Sequence, residues 1–168
     1  MDEQLQTFEF AEARVTLPVP AGAAFAELEG LDAGARHLTW APAPEGYFML
    51  SAGASPGHTA DGLLSGEAER ERGLHVASDE PAPGAGPGAR RVAFSVTQHR
   101  PRELREVDGG GRVTVAERDV RQLSDLLFVP GERQHLRIGY RVDEDAPGAV
   151  RTLLARMLDR VEVAPRDA

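Results

Sequence analysis

The chain has 168 residues, 41% of them apolar and 27% charged, enough for one globular domain with a core of its own and unlike a rod, a collagen or a disordered tail. It contains no cysteine, which excludes disulfides, thiolate metal sites, iron–sulfur clusters and thiol nucleophiles, and no lysine, which excludes Schiff-base and P-loop chemistry. A formal charge of -8 argues against nucleic acid or an anionic membrane as partner.

In chain order, Phe8 to Leu17 reads as two short strands or one bulged strand, stopped by Pro18 and Pro20. Ala21 to Leu31 is Ala-rich, with Phe25, Leu28 and Leu31 three apart, and predicts a short helix ending near Gly30. Arg36 to Trp40 and Tyr47 to Ser51, separated by a Pro-rich turn, predict a hairpin. Thr59 to Arg72 reads helical: Thr59 caps it, Leu63, Leu64 and Ala68 share a face, Glu67, Glu69 and Glu71 point outward, and Gly73 ends it. Leu74 to Ser78 is a short strand. Asp79 to Ala89, with three prolines and three glycines and no apolar period, predicts a flexible loop within the domain.

Beyond that loop, Val92, Phe94 and Val96 alternate with their neighbours, Asp108 to Gly111 forms a turn, Val113 and Val115 resume, and Pro130 to Arg133 forms a second turn. Leu136, Ile138, Tyr140 and Val142 then alternate strictly with His135, Arg137, Gly139 and Arg141. This predicts an antiparallel meander with one wet and one dry face. Arg112 to Val129 is long for a strand, so a bulge is expected around Arg121 to Ser124. Pro147 opens a last helix whose Val150, Leu153, Leu154, Met157, Leu158 and Val161 recur at the helical period and roof the dry face, with Arg151, Arg156 and Arg160 outside.

Chemistry is harder to find. His37, His58, His75, His99 and His135 never stand at metal-ligand spacing, no nucleophile elbow occurs, and neither a metal nor a cofactor is implied. Glu117 and Asp119 share a strand face, as a carboxylate pair would, but the interleaved arginines make cross-strand ion pairs the better reading. Charge is uneven: residues 1–89 carry 4 Arg against 14 acids, residues 90–141 carry 11 against 7. Arg118, His135, Arg137 and Arg141 fall on the wet face. They are the candidate partner-binding residues, a docking surface for an acidic partner; the competing and heavier reading is a solvated face tied to the acidic half.

The order of these elements, from the Phe8-Glu-Phe10 opening into Val15-Thr-Leu-Pro18, through Ala89-Arg-Arg-Val-Ala-Phe94, to Leu136 to Val142 and the last amphipathic helix ending at Val161-Glu-Val163, resembles the PsbP, Mog1 and DcrB group over nearly the whole chain. That resemblance implies an α+β fold, an antiparallel sheet of about six or seven strands flanked by helices in an α/β/α sandwich over residues 1–168. It also implies a non-enzymatic protein-binding adaptor, such as the effector-associated chaperones of bacterial contractile secretion systems. With no signal segment, lipidation cysteine or apolar span in the sequence, the expectation is a cytoplasmic protein of a GC-rich bacterium with a protein partner and a homodimer among its assemblies. The alternative is a small-molecule or lipid carrier of the helix-grip kind; an enzyme built on Glu117, Asp119 and a histidine ranks last.

Overall fold

The computed structural model describes residues 2–29, 34–70, 73–107 and 112–166, with 101–107 and 112–117 described by their backbone alone. The strands are β1 (Glu3–Glu9), β2 (Ala13–Pro20), β3 (Ala26–Glu27), β4 (Arg36–Ala43), β5 (Gly46–Gly53), β6 (His75–Pro81), β7 (Arg90–Val107), β8 (Arg112–Val129), β9 (His135–Asp143) and β10 (Glu162–Pro165). Helix α1 (Ala60–Glu69) lies between β5 and β6, and α2 (Gly148–Asp159) between β9 and β10. Seven strands form one antiparallel sheet in the order β3-β4-β5-β9-β8-β7-β6, and three form a second in the order β1-β2-β10. The antiparallel α+β architecture expected from the sequence is therefore the one observed. Among the described residues no helix is long and apolar enough to cross a membrane.

Two apolar layers hold the large sheet from opposite sides. On one side, Ile138, Tyr140 and Val142 of β9 and Phe48 and Leu50 of β5 are covered by Leu154, Met157 and Leu158 of α2 and by Val15, Leu17 and Val19 of β2. The last helix thus roofs the β9 stripe as its period required. On the other side, Val92, Phe94 and Val96 of β7 and Leu126 and Phe128 of β8 meet Met49 and Ala60, with Leu63 and Leu64 of α1 packed against them.

This second layer corrects the reading of one wet and one dry face. The register sets Phe94 opposite Ser124, and Ser124 opposite Arg141, so the apolar stripe of β7 shares a face with the arginines of β9 and lies opposite to Ile138 and Tyr140. Each strand does alternate, but alternation alone does not say which way a neighbour's stripe points.

Other local readings change as well. Ala21 to Glu29 holds no helix; β3 pairs with β4, and the Phe25 ring packs edge-on against Phe8 and Phe48. Gly30 and Leu31 lie outside the described residues. Pro18 does not stop β2: it pairs with Leu5 within the strand, which runs on to Pro20, and both prolines lie beyond the last residue paired with β10, where one edge is open and a missing N–H costs nothing. Within the loop expected over 79–89, Asp79 to Pro81 continue β6 against β7, and Pro83–Ala85 make a 3-10 turn. The bulge expected near Arg121 is displaced: pairing runs unbroken there, and the register shift lies between Pro101 and Leu104 of β7. The turn expected over 108–111 lies outside the described residues. Thr59 caps α1 as expected, its hydroxyl accepting from the Gly62 N–H at 3.1 Å.

Candidate functional site

The four residues singled out from the sequence do not form an open docking face. Arg137 lies under the 54–59 segment, donating from Nε to the carbonyl of His58 (3.2 Å) and from Nη2 to that of Gly57 (2.5 Å), with its guanidinium 6.0 Å from the Phe128 ring centroid. Arg141 lies under α1, 12% exposed, 5.7 Å from the Phe94 ring centroid, 3.3 Å from Gln122 Oε1 and 3.8 Å from the Glu67 carboxylate. Glu67, expected to point outward, is 3% exposed and turned into the sheet. Planar guanidinium groups carry their charge over aromatic rings and onto carbonyls at less cost than an ammonium would, which is how a face written in arginine becomes an interior one. His135 is hydrogen-bonded through Nδ1 to Ser55 Oγ (2.6 Å), and Arg118 pairs with Asp145 (2.8 Å) further along the same face.

The segment from Ser55 to Thr59 is therefore held to the sheet by Ser55–His135, by Arg137, and by His58, whose Nε2 is 3.0 Å from Ser51 Oγ. Burial, reinforced by Arg137, drives the His58 imidazole down to about 4; burial and then Arg137 and Arg141 also lower His37. Burial and the adjacent Arg141 bring the Arg137 guanidinium down to about 10. A serine and a histidine at 3.0 Å have the geometry of a nucleophile and base. The lowered imidazole is neutral near pH 7, Ser51 is 5% exposed, and their contact ties the 55–59 segment to β5. Of the carboxylate pair read from the sequence, Asp119 meets His99 at 2.8 Å on the open surface, and the side chain of Glu117 lies outside the described residues. Among the described residues no group of His, Asp and Glu is placed to hold a metal ion.

What sequence reasoning did not find is a cleft of about 710 Å³ at one end of the molecule, between the small sheet and the β8–β9 turn. Phe10 and Ala13 from β1–β2, Ala85 from the 3-10 turn, Val129 and Leu136 from β8 and β9, and Val163 from β10 line it, so its walls are largely apolar. Its rim is polar in one place. The backbone N–H groups of Glu132, Arg133 and Gln134 all donate to the Glu12 carboxylate, at 2.8, 2.7 and 3.1 Å. These bonds hold the Glu12 carboxyl below the usual carboxylate range. Gly131 keeps the approach open, because a Cβ there would stand 3.2 Å from both Glu12 oxygens and 2.5 Å from the Gln134 carbonyl. The turn itself was legible at Pro130 to Arg133. That its amides converge on a carboxylate some 120 residues away was not, since no local pattern encodes it.

No family model and no curated protein matches the chain. A protein from Bacteroides thetaiotaomicron solved at 1.50 Å is similar over 91% of this chain and 45% of its own, with 11% identity and a TM-score of 0.38. The chain spans less than half the length of that protein, and likeness at this level assigns neither fold nor function.

Proposed function

We propose that this chain is a non-enzymatic binding protein, an adaptor or chaperone of the kind found in the PsbP, Mog1 and DcrB group, and that it takes an apolar segment of a partner protein into the cleft beside β10. The observation that carries this reading is the cleft: about 710 Å³, lined from five separate elements, is a size and composition that binding sites have and close-packed interiors do not. The inward-facing ionisable groups support it from the other direction, since they are spent on one another and on backbone carbonyls. A helix-grip carrier would place its ligand between the last helix and the sheet; Leu154, Met157 and Leu158 fill that space against the core. Ala85 is the place to test the proposal, because it lines the cleft from the 3-10 turn and is only partly buried against the core, so a larger side chain there fills the opening. A partner co-purified with the wild-type chain is expected to be lost with Ala85→Trp, at unchanged thermal stability. Retention of the same partner by the filled variant sinks the reading.

A further inference from the structure

We infer that the three amides of Glu132, Arg133 and Gln134 are the recognition site for a free C-terminal carboxylate at the end of the partner's apolar segment, and that Glu12 occupies this site as an intramolecular stand-in. The inference rests on the cleft reading above and adds to it the chemistry of the ligand's end.

Three successive backbone N–H groups aimed at one point form a concavity selective for an anion, and capture of chain-terminal carboxylates in such nests is a recurring mode of peptide recognition. Here the nest already shows what it binds: it is filled by a carboxylate, through charge-assisted bonds of 2.7 to 3.1 Å. The position of the nest is the second argument. Pro130, Gly131, Glu132 and Gln134 line the same cleft as Val129 and Leu136, so a ligand whose last residues fill the apolar part delivers its terminal carboxylate to these amides.

The third argument is that Glu12 can leave without unzipping anything. It sits in the turn between β1 and β2, whose closing bond runs from the Phe10 N–H to the Ala13 carbonyl at 2.8 Å, and no ladder bond depends on its side chain. Rotation of that side chain exposes three donors at once, which a ligand carboxylate satisfies and a neutral end does not. Arg133 adds positive charge beside the site, favouring an anion over a neutral or cationic end.

The experiment compares two pentapeptides, N-acetyl-Val-Leu-Ala-Leu-Val with a free carboxylate and the same peptide as its C-terminal amide, titrated into the full chain, Glu12→Ala and Glu12→Gln. Affinity is read by calorimetry and the site by the amide resonances of Glu132 to Gln134. The acid is expected to bind both variants about tenfold or more tightly than it binds the wild type, shifting those three resonances, while the amide gains nothing from either substitution. Should Glu12→Ala fail to fold, Glu12→Gln carries the comparison, since it keeps the side chain and removes the competing charge. Equal binding of acid and amide overturns the inference and leaves the cleft reading standing. Absence of peptide binding in every variant overturns both. If dodecanoate binds where neither peptide does, both fall in favour of a lipid carboxylate.

Discussion

His58 shows what a single side chain contributes when it is held neutral. Unfolded, an imidazole takes up a proton near pH 6.5; folded, this one does so only near 4, so acid favours the unfolded chain and the stability tied to its burial is present above about 6.5 and lost as pH falls toward 4. Between pH 7 and 5 this one group is expected to contribute about 2 kcal/mol to the drop in unfolding free energy measured in urea, and His58→Gln to remove most of that share. His37 shifts in the same direction and adds to the drop. An identical slope in wild type and variant would falsify the burial account. Gly139 makes the opposite point, that a missing side chain can be essential. A Cβ there would run into the backbone of Asp125 and Leu126 on β8, where nothing can swing aside. Gly139→Ala is expected to cost about 2 to 3 kcal/mol in chemical denaturation, as overpacking does; a loss under 0.5 kcal/mol would mean the two strands part more easily than their register implies.

The two helices differ in what keeps them in place. α2 is anchored by fully buried side chains, and Leu154→Ala is expected to lower stability by about 2 to 5 kcal/mol. α1 is pinned at its cap, so Thr59→Ala is expected to cost about 1 kcal/mol, and a thermal melt that ranks the two the other way contradicts the packing described. Much of this scale was legible from sequence: the period of α2, the cap of α1 and the alternation of β9 are local signals, and each led to the right element. The failures are where a neighbour decides. Glu67 reads as solvent-facing on a helical wheel because the wheel does not know that Arg141 waits beneath it. Phe25 reads as part of a helix because its spacing is local, whereas its ring belongs to a cluster with Phe8, Trp40 and Phe48 brought together from three other strands.

Across the whole molecule, protection should follow burial and pairing. Amides of β5, of β9 and of residues 122–129 in β8, flanked by strands and lying between the two apolar layers, are expected to exchange with solvent most slowly. Those of β6, exposed along its entire length at the sheet edge, should exchange fastest among the long strands. Comparable protection of β6 and β9 would contradict the layer order. The cleft and its ring of amides belong to this scale too, which is why no pattern in the sequence announced them: Glu12 and Gln134 meet only once both sheets have been assembled. The small sheet joins Val15 to Val163, so nearly the whole chain is looped between two residues that sit side by side. Closing a loop of that length early returns little enthalpy for the freedom surrendered, and that seam should zip last. In a refolding time course, the signal from β2 and β10 is expected to lag behind the hairpins of the large sheet. The apolar cleft, walled in part by those late strands, would then come into being as the final act of folding.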